Sequence, residues 1–133
     1  MTITTGMDMG LRLELFVSGM DASIDFYRGV LGFELMRRES DYASLRSGGV
    51  TVGLGPIAKL PLEDGYVTRS RLAEDRGAGV EIVFEVDDIA AYRDRVGASG
   101  HPLLDDLQLR PWGLTDFRIA DPDGYYLRIT SRD

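Results

Sequence analysis

The chain repeats itself, and the repeat limits its fold more than any other feature. Leu13, Leu15 and Val17 recur as Ile82, Phe84 and Val86, each 69 positions later. Gly49-Val50-Thr51-Val52-Gly53-Leu54 recurs in pattern as Gly124-Tyr125-Tyr126-Leu127-Arg128-Ile129, 75 positions later. A period of this size marks one supersecondary unit used twice, so the fold is read from the unit. In the first copy Leu11 to Val17 alternates with strand period. Met20 to Leu31 carries Ile24, Tyr27 and Leu31 at helical spacing, with Asp21 or Ser18 as its cap and Gly32 as its stop. Strands are expected at 33–38, 41–46 and 50–55, with Gly48-Gly49 turning between the last two. The second copy reads as a strand over 80–86 and a helix from Asp87-Asp88 to Val96, ended by Gly97 and Gly100. A short strand at 102–104 follows, then strands at 115–120 and 125–130 around Asp121-Pro122-Asp123-Gly124. The extra residues of the second copy are assigned to the loop 104–113.

The predicted fold class is therefore α+β: two tandem βαβββ modules forming a cupped mixed sheet. Residues 1–10 read as a loose leader and 11–131 as a single domain, with modules over 11–55 and 80–131. Between them, 56–79 is punctuated by Pro56, Pro61, Gly65, Gly77 and Gly79 and shows no period. A connection this long in a compact domain is a linker or a lid over a site.

Composition narrows the function. The 133 residues, 44% hydrophobic, suit one domain with its own core. There is no cysteine, which excludes disulfides and thiolate chemistry and fits a cytoplasmic location. The net charge of −7, with no dense Lys/Arg cluster, argues against a phosphate-neutralising nucleic-acid binder and against an anionic membrane surface. The polar start is unlike a signal peptide, and no apolar run has the length of a membrane span.

Strand parity assigns faces. Leu11, Leu13, Leu15 and Val17 should lie under the first helix, and Val80, Ile82, Phe84 and Val86 under the second. Val50, Val52 and Leu54, and Tyr125, Leu127 and Ile129, complete the apolar faces. The opposite faces carry Arg12, Glu14, Phe16, Thr51, Gly53 and Gly55 in one module. The other carries Glu81, Val83, Glu85, Tyr126, Arg128 and Thr130. These mixed faces are the candidate site.

Three stretches now carry a family resemblance. Val17 to Tyr27 with Leu31-Gly32-Phe33-Glu34 resembles the first module of the vicinal oxygen chelate superfamily, the glyoxalase, bleomycin-resistance and dioxygenase type. Phe84 to Ile89, and Phe117 to Leu127 with its Asp-Pro-Asp-Gly-Tyr, resemble its second. The resemblance covers about residues 11–131 and implies a cupped sheet. The family's enzymes hold a divalent metal at four repeat-related positions, which fall here on Arg12, Gly53, Glu81 and Arg128. Of these only Glu81 can ligate, since guanidinium offers no lone pair and glycine no side chain. Glu14 and Glu85 lie nearby by parity. The departure is similar to the bleomycin-resistance branch, which implies no metal or other cofactor, a homodimer, and a bound small molecule.

Each singled-out residue has a plainer alternative. Arg12, Glu81 and Arg128 either bind a polar ligand or pair with one another in place of the metal. Trp112 either stacks on a planar ligand or plugs the core. Phe16 and Tyr126 face the same choice, and Tyr66 is a lid or merely exposed. His101, the only histidine, reads as structural, Asp121 and Asp123 as turn formers, and Tyr27 as core.

The leading expectation is a metal-independent protein that binds a natural product or drug-like ligand through Arg12, Glu14, Phe16, Glu81, Glu85, Trp112, Tyr126 and Arg128. Such a protein serves antibiotic resistance or self-protection by sequestration. The alternative is an enzyme of lyase, isomerase or dioxygenase-like type, with or without a divalent metal. Its base would be Glu81, or else Glu14 or Glu85, and Arg12 and Arg128 would orient the substrate. A third reading is a structural or regulatory dimer with a closed cup.

Overall fold

A computed structural model describes Gly6 and residues 8–132, so most of the expected leader lies outside the described residues. The repeat is carried through to the hydrogen-bond register. β1 (Arg12–Val17) runs parallel to β4 (Val50–Pro56), and β5 (Ile82–Val86) runs parallel to β8 (Tyr126–Ser131). Leu13 pairs with Val52 in the first, and Ile82 pairs with Leu127 in the second, so the sequence offsets are register offsets. β2 (Glu34–Glu39) and β3 (Tyr42–Ser47) complete one four-stranded sheet in the order β1-β4-β3-β2. β6 (Asp105–Leu109) and β7 (Thr115–Ala120) complete the other in the order β5-β8-β7-β6. Even the outer-strand irregularity is duplicated, between Leu35 and Arg37 and between Asp105 and Gln108.

The first helix departs from one regular amphipathic run. α1 (Met20–Asp25) passes into a π-helical turn over Phe26–Val30, where the Leu31 N–H donates to the Phe26 carbonyl. Phe26, Tyr27 and Leu31, in and just after the wider turn, are all buried. Gly32 stops it at a positive φ of 80°. The cap is neither Asp21 nor Ser18 but the backbone of Gly19, because the Ser18 hydroxyl donates to Asp123 across the molecule.

The segment 56–79 is also more ordered than its composition suggests. It holds a 3₁₀ turn, Ile57–Lys59, and a short helix α2 (Arg69–Glu74), capped by the buried Thr68 accepting from the Arg71 N–H. In the second module α3 (Ile89–Ala98) starts two residues later than expected, because Asp88 is its cap and accepts from the Ala91 N–H at 3.0 Å. The strand expected at 102–104 lies instead at Asp105–Leu109, inside the stretch taken for a loop. The extra residues are spread over three connections. Residues 99–104 replace 31–33, 110–114 replace 40–41, and 121–125 replace 48–49.

The apolar faces form one core across both modules. Leu15, Val17, Leu45, Val52 and Leu54 meet Ile82, Phe84, Phe117, Ile119, Leu127 and Ile129, with Phe33 and Phe84 rings 5.7 Å apart. Each fully buried side chain of this kind contributes about 1.5–3 kcal/mol. Parity fails at the strand starts. Leu11 and Val80, expected under the helices, precede β1 and β5 and are 77% and 61% exposed.

Tyrosine hydroxyls clasp the modules in both directions. The buried Tyr27 hydroxyl donates to Asp121 Oδ2 at 2.9 Å, while Tyr125 donates to the Phe16 carbonyl and Tyr92 to the Leu31 carbonyl. Burial and the adjacent Asp121 push the Tyr27 hydroxyl far above its usual range, and burial pushes Tyr92 up to about 12. Asp121 also accepts the Asp123 and Tyr125 N–H groups, and Asp123 gathers Ser18 and Arg76. So the Asp-Pro-Asp-Gly turn is a staple between modules as well as a turn. His101 is structural, its Nε2 at 2.7 Å from the Ala120 carbonyl and its ring against Phe26. Among the described residues no helix is long and apolar enough to cross a membrane.

Candidate functional site

The outer faces of the two sheets bring the predicted residues together in two clusters. In the first module Gly53 pairs with Glu14 across β1 and β4. A Cβ on Gly53 would collide with Glu14 Oε2 and with the Tyr42 hydroxyl. The Glu14 carboxylate therefore lies on the glycine, in the space a side chain there would need. Arg12 Nε holds it at 2.8 Å, and the Tyr42 hydroxyl donates to it at 3.0 Å. Partial burial and this bond raise the Tyr42 hydroxyl above its ordinary value.

In the second module Glu81 Oε1 stands 3.4 Å from Arg128 Nε, and the Arg128 guanidinium lies 5.7 Å from the centre of the Trp112 ring. Trp112 is 55% exposed, so it does not plug the core. The Tyr126 hydroxyl accepts from Arg118 at 2.9 Å. Arg118 is the cross-strand partner of Arg128. Beside it Asp116, fully buried, is held by Arg110 at 2.9 Å, and Arg110 also holds Asp105 at 2.6 Å. That bond keeps the Asp105 carboxyl below its usual range.

The expected mutual pairing of Arg12, Glu81 and Arg128 is thus only half realised. Glu81 pairs with Arg128, but Arg12 pairs with Glu14 on its own strand, because Glu14 is two residues away on the same face. Glu85 joins neither cluster and lines a separate groove with Arg132 and Tyr92. Tyr42, Arg110, Asp116 and Arg118 were not foreseen. Parity of 115–120 against β8 would have placed Asp116 and Arg118 beside Arg128, had the register of β7 been read as well.

Two grooves adjoin the clusters and share Gly77 and Val80. The larger, about 620 Å³, has Glu14 and Phe16 on one wall and Tyr66, Arg71 and Leu72 of the linker on the other. The smaller, about 420 Å³, is lined by Glu81, Tyr126 and the segment 76–80. The linker is therefore a wall of the larger groove, with Tyr66 93% exposed at its lip.

The four metal positions of the resembling enzymes do not fit a divalent ion here. Two hold guanidinium groups that repel a dication. One is a glycine covered by its neighbour's carboxylate, and the remaining Glu81 is turned toward Arg128. Among the described residues no group of three or more His, Cys, Asp or Glu is placed to hold a metal.

Comparison with known proteins bears on the same region. A model of the Glyoxalase/Bleomycin resistance protein/Dioxygenase superfamily matches residues 11–129. A lactoylglutathione lyase of Neisseria meningitidis serogroup B is 32% identical over 127 residues, covering 92% of this chain and 89% of that protein. The crystal structure of TioX from Micromonospora sp. ML1 superposes with a TM-score of 0.74 at 23% identity, over 93% of this chain and 98% of that one. A glyoxalase-related enzyme from Fulvimarina pelagi does so with a TM-score of 0.74 at 21% identity, over 95% and 88%. At those identities the two structures speak for the fold alone.

Proposed function

The chain belongs to the Glyoxalase/Bleomycin resistance protein/Dioxygenase superfamily, and on that premise we propose that it binds a small molecule of natural-product or drug-like size without a divalent metal. The observation that carries the reading is the covered glycine. Where the resembling enzymes keep a metal-ligating side chain, the Glu14 carboxylate lies over Gly53 and is neutralised by Arg12. The neighbouring grooves, about 620 and 420 Å³, are of the size that holds small ligands. Arg12, Glu14 and Phe16 serve one side of the site, and Glu81, Tyr126, Arg128 and Trp112 the other. The protein acts as a homodimer in the cytoplasm and protects its host by sequestration.

Calorimetric titration with Ni²⁺, Mn²⁺ and Zn²⁺, beside a thermal-shift screen of natural products, tests this. No tight stoichiometric metal and a ligand-dependent rise in melting temperature are expected. A one-to-one metal lost in Glu81→Gln would overturn it. Light scattering should give twice the 14.7 kDa chain mass, and expression should protect cells against the bound compound.

The likeness to a lactoylglutathione lyase favours a second reading, an enzyme in which Glu81 is the base and Arg128 orients the substrate. Turnover involving S-lactoylglutathione, abolished by Glu81→Gln, decides for the enzyme. Binding without turnover decides for the first reading.

A further inference from the structure

The outer face of the second sheet carries an arrangement that its own chain does not complete. Arg118 and Arg128 are direct cross-strand partners on β7 and β8. Like charges in that relation destabilise a sheet unless anions compensate them. The neighbouring anions are only partly free. Asp105 is bonded by Arg110, and Asp116 Oδ1 by the same Arg110 at 2.9 Å, while the buried Asp116 Oδ2 has no hydrogen-bond donor among the described residues. Arg118 is left with the Tyr126 hydroxyl and an ion-pair contact of 3.5 Å to Asp116 that is too poorly aligned to be a hydrogen bond. Arg128 has only Glu81 at 3.4 Å, again without a hydrogen bond. Among the described residues, both Nε atoms are buried donors without an acceptor. Such donors destabilise the fold until they are satisfied.

Two further features say what would satisfy them. Glu81 is 41% exposed and lines the smaller groove, so its carboxylate can swing into water without leaving a buried charge behind. Trp112, half exposed, lies over the Arg128 guanidinium and presents an aromatic face beside the same nitrogen atoms. A guanidinium fork matches a carboxylate in two parallel bonds, and an indole beside it matches a flat ring.

We propose that this face receives the carboxylate of an aromatic acid, and that Glu81 is the chain's own stand-in, displaced when that carboxylate arrives. The assignment rests on the ligand-binding reading and adds the ligand's chemistry to it. It also gives Glu81 a role opposite to that of a base or a metal ligand: Glu81 competes with the ligand.

The test uses 4-nitrobenzoate against its neutral counterpart 4-nitrobenzamide. Affinity is measured by calorimetry and contact by the fluorescence lifetime of Trp112, the chain's single tryptophan. The acid is expected to bind at least tenfold more tightly than the amide and to shorten the lifetime saturably. Arg128→Gln and Arg118→Gln should each weaken the acid tenfold or more. Glu81→Gln should tighten it severalfold, and by more than it changes the amide. Arg118→Gln leaves Asp116 short of a partner and risks misfolding, whereas Glu81→Gln alters an exposed side chain and decides the matter alone. Equal binding of acid and amide, a lifetime that does not respond, or weaker acid binding in Glu81→Gln would overturn the assignment. A screening hit that is neutral or cationic and leaves the Trp112 lifetime unchanged would also overturn it, while leaving the small-molecule reading in place.

Discussion

In the first sheet Glu14 stands opposite Gly53, and its carboxylate lies down on the glycine; in the second the matching pair is Val83 and Arg128, and the arginine reaches Glu81 and Trp112. The backbone register is the same, yet the outer chemistry is inverted from a covered carboxylate to a pair of under-bonded guanidinium groups. The inner faces have stayed alike because they fill one shared core, where a change of one methylene is felt. The outer faces answer to solvent, so the two copies have diverged there.

The difference extends to the turns, where it gives the largest expected effect. Gly48-Gly49 simply reverses the first sheet's last two strands, whereas its counterpart holds Asp121, on which Tyr27 and two backbone N–H groups depend. Asp121→Ala should cost about 3 kcal/mol, because it orphans a buried hydroxyl and two amides. Gly49→Ala meets nothing within 4 Å and should cost under about 0.5 kcal/mol. Urea denaturation of the two variants measures the asymmetry, and equal losses would erase it.

The tyrosine clasps come next. Tyr27, Tyr92 and Tyr125 are all raised, chiefly by burial, from an ordinary value of 10.0. Above that pH the unfolded chain gives up these protons while the folded chain keeps them. Stability should therefore be level below pH 10 and fall above it, by up to about 1.4 kcal/mol per pH unit for Tyr27 and for Tyr92, and in the same direction for Tyr125. Tyr27→Phe and Tyr125→Phe, compared by denaturation at pH 9 and 11, separate the first module's share from the second's.

Gly53→Ala is a smaller change. The new methyl must push aside the Glu14 carboxylate and the Tyr42 hydroxyl bonded to it, so about 1–2 kcal/mol is expected. A double-mutant cycle with Glu14→Ala should show coupling between the two positions, and additivity would mean that the carboxylate does not occupy that space.

The smallest effect belongs to the second module's outer strand. The hydrogen bond from Arg93 is the main cause that lowers Asp106 to about 2 from an ordinary 3.8. Its contribution is present above pH 3.8 and lost as the pH falls toward 2. Arg93→Gln should remove that small contribution at pH 7 and leave stability near pH 2 unchanged, so the curve flattens across that window.

The duplicated unit, the strand faces and the core stripe were legible because period-2 and helical patterns survive wherever one face is buried. The hidden parts are those that period cannot express. The π turn over Phe26–Val30 widens the helix locally, and a 3.6-residue pattern does not encode that. The linker helix is too short to show a pattern and rests on the Thr68 cap. The strand 105–109 sits on a sheet edge, where Leu107 alone packs on the core and Leu109 is exposed, so its alternation is too short to read. Arg12, Glu14, Glu81 and Arg128 were placed on the right faces by parity. Their partners were not, because Arg12 chose Glu14 on its own strand, and Arg110, Asp116 and Arg118 enter only through the β7 register.

The reciprocal tyrosine bonds bear on how the chain folds. Each module borrows a hydroxyl or an acceptor from the other at the heart of its helix or its turn. Half the chain would therefore expose Phe33 or Phe84 and leave Tyr27 or Asp121 without its partner. Folding is expected to be cooperative across the whole repeat, with one unfolding transition rather than two. A nick in the exposed stretch 61–67 would then leave two fragments that gain their structure by finding each other.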